Sequence, residues 1–377
     1  MDGWTIVGLA LLAAMVGAHG LSIGLAASRA GRRLRPTSAE GNGVSVLRPL
    51  CGLETHVEAA LQSCFRLAQP RHELILCVES PADPVIPLVR RLIAAHPDRD
   101  ARLLVGADPI SANPKLNNVA KGWRAARYDW IVMSDSNVLA PPDYLARLLA
   151  AWGPDTAFVC APPVGVAGEG VGGRLEMAFL NTFQARWQLA VDRLGLGFVQ
   201  GKNILMRRSD LEAAGGIGAL GAEMAEDAAC TKIARRLGRK VHLVDRPFFQ
   251  PLGRRSVTAA WQRQLRWARL RRGSFPLLFT AEILTGSVPP LLLYTALAAA
   301  GVLPWAGLVL LACLWCAAEA LLARAFAWPL DIASPLFWIL RDLSLPVLWI
   351  AAWTGSSFTW RGHAMTATVE AGSSRAG

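Results

Sequence analysis

Cysteine is sparse and unpatterned in this chain. Seven residues, Cys51, Cys64, Cys77, Cys160, Cys230, Cys313 and Cys316, are scattered and odd in number. This argues against a disulfide framework and for reduced thiols in a cytosol-facing protein. Cys313 and Cys316 form a CxxC inside the apolar run "LVLLACLWCAAEALLA"; with no βαβ context around them, packing is expected there and redox chemistry is not. A valid nucleotide fingerprint is also missing. "GEGVGG" (168–173) fits GxGxxG, with Asp192 downstream, but it does not open a helix directly after a first strand, and a loop is expected. "GLGFVQGKN" (195–203) has the wrong glycine spacing for a phosphate loop, and Asn203 stands where a metal-binding Ser or Thr belongs. No nucleic-acid reading module appears either, which excludes that class of partner.

Acidic residues are in the minority, 28 against 39 basic, for a net charge of +11. That balance alone would suggest an anionic partner, but 53% of the chain is hydrophobic and its mean hydropathy is +0.32. Excess Arg and Lys beside long apolar segments is the pattern of a membrane enzyme with basic cytoplasmic flanks. Residues 4–27 contain no Asp, Glu, Lys or Arg and are long enough to cross roughly 30 Å of hydrocarbon. A signal peptide carries its positive charge before the apolar run; here Arg29, Arg32, Arg33 and Arg35 follow it. The expectation is a retained anchor (1–28), with the N-terminus outside and the following domain (29–273) in the cytoplasm. A second apolar region (274–360) reads as two or three membrane elements, about 275–300, 303–323 and 335–354, before a polar tail (361–377). Arg341 and Asp342 lie inside the last element and need partners at membrane depth. Either that element is re-entrant, or the portion near 275–287, interrupted by Glu282, lies along the surface.

Between these regions, short β-rich runs at 43–47, 73–78, 101–105, 130–134 and 157–161 alternate with helical patterns at 56–68, 84–95, 115–127 and 142–152. The pattern predicts an α/β, doubly wound, mostly parallel sheet, whose ligands sit at the C-terminal ends of the strands. Glu79 and Asp83 follow one such run and Asp135 another. Asp83 before Pro84 is equally readable as a cap, whereas a carboxylate at Asp135 has the chemistry to hold a divalent cation against a diphosphate. Glu226 and Asp227 open an amphipathic helix, where they suit the helix dipole or, more pointedly, a general base. On a later helix, 256–272, Arg263, Arg266 and Trp267 share a face able to bind a diphosphate.

Taken together, "LRPLCG", "ILCVESPADP", "NPKLNN", "DWIVMSDSN", "GKNILMRRSDLEAAGG", "AEDAACTKIARRLG" and "RQLRW" resemble the ceramide glucosyltransferases. These are membrane members of the inverting glycosyltransferase superfamily that includes cellulose, chitin and hyaluronan synthases. The resemblance covers roughly residues 44–273 and, loosely, "TWRG" (359–362). It implies a glycosyltransferase A-type domain at a bacterial plasma membrane, using UDP-sugar and Mg²⁺ or Mn²⁺. The family's D, D, D, (Q/R)xxRW pattern falls on Asp83, Asp135, Asp227 and on Arg263, Arg266 and Trp267. By resemblance, Asp83 with Glu79 meets the nucleotide and Lys115 lies near it. Asp135 serves the metal, Asp227 is the base, and Arg263, Arg266 and Trp267 meet the UDP-sugar. The implied reaction is glucosyl transfer to the primary hydroxyl of ceramide with inversion. UDP-galactose, a hopanoid or diacylglycerol acceptor, and a processive polysaccharide synthase are the alternatives. Eukaryotic members carry a His after the 157–161 run, where this chain reads "CAPPVGV", and residues 164–196 match poorly.

Overall fold

The computed structural model describes residues 2–31, 42–69, 71–360 and 363–367. Arg32, Arg33, Arg35 and Arg361, and the tail beyond residue 367, lie outside the described residues. The chain forms two compact units, each discontinuous in sequence. One comprises Arg33–Pro163, Gly195–Gly253 and Ser356–Gly377; the other Met1–Arg32, Val164–Leu194 and Arg254–Gly355. The expected boundary near 273 thus differs from the observed grouping: residues 164–194 and the helix before 273 pack with the long apolar helices.

The first unit is a three-layer α/β domain. Strands β1 (Val44–Leu50), β2 (His72–Val78), β3 (Ala101–Val105), β4 (Trp130–Ser134) and β5 (Thr156–Cys160) form its sheet with β7 (Asn203–Arg207) and β8 (Lys240–Leu243); β6 (Pro163–Glu169) lies outside this sheet. Strand order is β3-β2-β1-β4-β7-β5-β8. All neighbours are parallel except β7, which runs antiparallel to both β4 and β5. Helices α2 (Val57–Cys64), α3 (Ile86–Ala95), α4 (Pro114–Ala125) and α5 (Tyr144–Ala150) alternate with the first five strands, as the periodicity predicts. Because helices cover the sheet, its central strands β1, β2, β4, β5 and β7 are buried on both faces, while the edge strands β3 and β8 are partly exposed. Val46, Leu74, Leu76, Val132, Val159 and Leu205 join Leu61 of α2 and Val89 of α3 in one core, each such side chain contributing roughly 1.5–3 kcal/mol. Helices α8 (Arg208–Ala213) and α9 (Glu226–Arg236), strand β9 (Phe248–Arg254) and the hairpin of β10 (Ser357–Trp360) with β11 (His363–Thr366) complete the elements assigned mainly to this unit.

The second unit is helical. Its α1 (Gly3–Ala27), α13 (Ala306–Ala325) and α14 (Ser334–Trp353) are long and apolar enough to cross a membrane. Between α10 (Val257–Ser274) and α13, α11 (Pro276–Ala281) with a short 3₁₀ turn to Leu284 is bent by 45° from α12 (Val288–Ala299). The apolar segment expected as one element from 275 to 300 is therefore broken near Glu282, whose carboxylate takes two bonds of 2.8 Å from Arg271. "GEGVGG" is not the expected loop: it ends β6 and opens α6 (Gly170–Ala178). Gly172 is required there, since a Cβ would come within 2.4 Å of the Ser256 backbone. After α6 the chain widens into seven residues of π-helix, Phe179–Ala185, and then α7 (Arg186–Arg193).

Arg341 and Asp342, the expensive pair of the third apolar element, are resolved by partners far away in sequence. The Arg341 guanidinium donates to both oxygens of Glu319 on α13 at 2.8 and 2.9 Å, to the Thr182 hydroxyl at 2.8 Å and to Asp342 at 2.8 Å. Asp342 also accepts the Ser287 N–H at 2.9 Å, and Arg186 approaches Glu319 at 3.5 Å. Arg341 and Glu319 are wholly buried. Such a cluster persists in an apolar setting because each charge is paired and hydrogen-bonded, and α14 runs unbroken from Ser334 to Trp353.

Candidate functional site

The reversal of β7 builds the site. Parallel strands β1, β2 and β4 deliver their C-terminal ends to one edge of the sheet, the ligand-binding edge of such folds. Because β7 runs the other way, it begins where β4 stops: Asn203 pairs with Ser134. The residues beyond those ends, Asp135 and Lys202, are therefore neighbours. The Asp135 N–H donates to the Lys202 carbonyl at 3.0 Å, and the Lys202 ammonium donates to Asp135 Oδ2 at 2.9 Å. The turn after β4 is held from below by buried Arg48 of β1, which donates to the carbonyls of Asp135 (2.6 Å) and Val138 (3.0 Å).

Lys115 enters from the first turn of α4. Asn113 caps that helix, accepting the N–H groups of Lys115 and Leu116 at 2.9 and 3.3 Å. The Lys115 ammonium then donates to Asp135 Oδ1 at 2.6 Å, to Glu226 Oε1 at 2.5 Å and to the Gly201 carbonyl at 3.0 Å, so all three of its donors have acceptors. Asn113 also reaches Glu226 Oε2 at 2.9 Å. Glu226 and Asp227 sit in the first turn of α9, where partial positive charge favours carboxylates. Asp227 accepts the Gly201 N–H at 2.9 Å and the Ala228 N–H at 2.8 Å. Residue 201 is closely packed, since a Cβ would lie 3.1 Å from Glu226 Oε1 and 3.3 Å from Asp227 Oδ2 and would press on both carboxylates.

The two aspartates have opposite electrostatic settings. Burial pushes the Asp135 carboxyl up, but the ammonium groups of Lys115 and Lys202 outweigh it and hold the group well below the usual carboxylate range. Burial likewise opposes the charge on Lys115, yet Asp135 and Glu226 keep it firmly protonated. Asp227 moves the other way: burial and the adjacent Glu226 carboxylate push it up to about 6, against the pull of Lys115 and its two N–H donors. Paired acids with pKa values driven apart in this way are the arrangement that separates a permanently charged group from a proton acceptor.

The remaining sequence candidates are placed differently. Asp83 accepts the Gly52 N–H on both oxygens (3.0 and 2.9 Å) and the Val85 N–H at 2.9 Å, fastening the loop after β1 to the loop after β2. It does not occupy the N-cap of α3, which is Val85. Glu79 is exposed at the end of β2. Arg263, Arg266 and Trp267 lie on α10 in the helical unit, where Arg263 donates to the fully buried Glu176 at 2.9 Å, an acid that Arg255 also approaches at 3.1 Å. The structure thus brings Lys115, Asp135 and Asp227 into one cluster and adds Lys202 and Glu226 to it. Lys202 lies in "GKNILMRRSDLEAAGG" but has no role in the family pattern; its signal in the sequence is a Lys directly before a β run.

Among the described residues no three His, Cys, Asp or Glu side chains form a metal cage. Asp135 is held ionised by the Lys115 and Lys202 ammonium groups, and its side chain is 23% exposed. That donor set fits a hard cation of the kind held through one or two carboxylates and otherwise by substrate phosphates; it does not fit an all-protein site.

The sequence profile of glycosyl transferase family 21 matches residues 7–372. Ceramide glucosyltransferase 1 of Caenorhabditis elegans is 31% identical over 248 residues, covering 65% of this chain and 53% of the relative. Ceramide glucosyltransferase 3 of the same organism is 26% identical over 331 residues, covering 85% and 72%. The chain thus spans about half the length of the first relative. Among solved structures, the mannosyltransferase PcManGT from Pyrobaculum calidifontis, in complex with GDP-Man and Mn²⁺, matches 93% of this chain and 97% of its own, with a TM-score of 0.53 and 18% identity. That likeness establishes the glycosyltransferase A-type fold.

Proposed function

Since the chain belongs to glycosyl transferase family 21, we propose that it transfers glucose from UDP-glucose to the primary hydroxyl of ceramide, with inversion, at the cytoplasmic face of the plasma membrane. The observation that carries this reading is the half-buried Asp227 carboxyl, pushed up to about 6 within one cluster with the ionised Asp135. A base with that affinity is matched to near-neutral pH. Asp227 takes the hydroxyl proton as the lipid oxygen bonds to the anomeric carbon. The bond from that carbon to the diphosphate oxygen breaks with its electron pair, and UDP departs, leaving a β-glucoside.

Asp135 would be the protein's ligand for Mg²⁺ or Mn²⁺, which supplies charge neutralisation to the diphosphate when bound. Lys202 and Lys115 add fixed positive charge beside it. Asp83 and Glu79 serve the nucleotide side, and Arg263, Arg266 and Trp267 the departing UDP. The three long apolar helices and the basic residues after α1 support membrane insertion with the α/β unit inside the cell. Purified protein offered UDP-glucose or UDP-galactose with ceramide, and product analysis by mass spectrometry, tests the assignment. A β-glucosylceramide product is expected; galactosylceramide, or no hexosylceramide at all, overturns it.

A further inference from the structure

Helix α14 is long enough to cross a membrane, but its neighbours lead it elsewhere. Helices α12 and α13 form a hairpin whose turn packs on the N-terminal half of α1 through Leu12, Leu297 and Leu308, so α12 begins, and α13 ends, on the side of α10. A crossing α14 would return along the first half of α13. Instead Arg341 meets Glu319, six residues before α13 ends at Ala325, and the helix then retraces α12, α11 and α10 in reverse order. Asp342 accepts the N–H of Ser287, the residue before α12, at 2.9 Å. Trp349 and Trp353 pack on Phe279 of α11, and Ala352 on Ala268 of α10. The Trp353 carbonyl accepts from Arg272 at 3.1 Å. Arg263, Arg266, Arg269, Arg271 and Arg272 crowd that part of α10, and hydrocarbon excludes such charge. Both ends of α14 therefore lie on the α10 side.

We infer that α14 lies in the plane of the membrane surface on that side, with one face seated in the lipid leaflet. Two faces run along the helix with the same period. Phe337, Arg341, Leu345, Leu348 and Ala352 turn toward protein. Leu336, Leu340, Leu343, Val347 and Ile350, spaced alternately four and three residues apart, are each 37–57% exposed. This bare aliphatic stripe is about 21 Å long at 1.5 Å per residue, and a continuous apolar surface of that kind marks a contact with a partner or a membrane. Helix α11, joined to α14 through Phe279, carries exposed Leu277 and Leu278 as well.

The position of the stripe selects lipid as its occupant. Glu319 stands about 9 Å of helix from the end of α13, and Arg341 meets it there. That depth matches helices that lie in the interface, whose apolar faces sink roughly 5–10 Å toward the acyl chains. Trp349 and Trp353, with the Arg272 guanidinium 5.5 Å over the Trp353 ring, suit the head-group level, where amphipathic rings collect. Through Leu348 on Leu265 and Ala352 on Ala268, α14 then holds α10, with Arg263, Arg266 and Trp267, at the height of the lipid head groups. This placement goes beyond the reaction proposed above and stands without it.

Single cysteines test the placement in the full-length protein, with the exposed Cys51 and Cys313 replaced by Ser. Ile332→Cys and Thr354→Cys flank α14, and Trp305→Cys marks the α12–α13 turn; all three positions are exposed. A membrane-impermeant maleimide is applied to spheroplasts and to inside-out vesicles. Ile332→Cys and Thr354→Cys should react in the same preparation and Trp305→Cys in the other. Reaction of the two α14 flanks in opposite preparations makes α14 a span and overturns the inference. A nitroxide on Leu343→Cys, in nanodiscs of phosphatidylcholine and phosphatidylglycerol, then separates lipid from any other cover. Relaxation by oxygen should exceed relaxation by a water-soluble nickel chelate, at a depth of roughly 5–10 Å. Stronger relaxation by nickel, or a label shielded from both, overturns the lipid contact.

Discussion

The Lys115 ammonium lies 2.6 Å from Asp135 and 2.5 Å from Glu226, so one cation joins the strand-end acid to the helix that carries Asp227. Removing it leaves Glu226 without its cation and Asp135 with Lys202 alone. Lys115→Met should therefore lower stability by about 3–5 kcal/mol, the range for breaking a buried pair, and suppress turnover. Thermal unfolding of purified protein measures the first effect; a Tm within a degree of wild type would show the bridge to be dispensable.

Asp227→Asn keeps the shape of the side chain and removes its basicity. Turnover should fall about 100- to 10,000-fold, the scale of general-base catalysis, with UDP binding by calorimetry unchanged. Retained turnover would transfer the base role to another residue.

The pH profile should report the same group. With Asp227 pushed up to about 6, kcat/KM should rise with pH through that value and level off above it, because only the ionised form accepts a proton. In Asp227→Asn this inflection should disappear from the residual activity.

Stability should run opposite to activity. The folded carboxyl holds its proton up to about 6, against an ordinary value of 3.8, so the native state binds more protons than the unfolded chain between those limits. Its contribution is favourable at low pH and is lost as pH rises through about 6. Asp227→Asn should thus melt above wild type at pH 7.5, with the gap narrowing as pH falls through about 6 and closing only below about 3.8; a lower Tm at pH 7.5 would contradict the raised affinity for the proton.

The two arginine groups of α10 should separate. Arg266→Ala should abolish transfer while membrane insertion, read by fractionation, persists. Arg271 pairs with Glu282 in a partly exposed setting, a kind of contact worth about 0–1 kcal/mol, so Arg271→Ala should retain most activity.

Much of the α/β unit was legible because parallel strands buried on both faces read as short β-rich runs, and 73–78, 101–105, 130–134 and 157–161 lie within a residue of observed strands. The direction of β7 was not legible. "NILMR" carries no mark of strand polarity, yet its reversal is what joins Lys202 to Asp135. Asp135, Asp227 and Lys115 are legible from motif context, whereas Glu226 reads with Asp227 as a helix-dipole or general-base carboxylate, and its bond to Lys115 is not legible because that cation arrives from 111 positions away. The Arg341–Asp342 conflict was likewise insoluble locally, since its answer, Glu319, is on another helix.

That answer bears on how the protein is made. A charged residue at the centre of a helix costs roughly 2.5–3.5 kcal/mol on insertion, and α13 brings Glu319 while α14 brings Arg341 and Asp342. Entering the bilayer singly, each helix meets that cost unrelieved. Entering as a hairpin, Arg341 meets both Glu319 and Asp342, so one cation is shared between the two carboxylates. Insertion of α13 and α14 as a pair is thus the route on which Glu319 and Arg341 lower each other's cost.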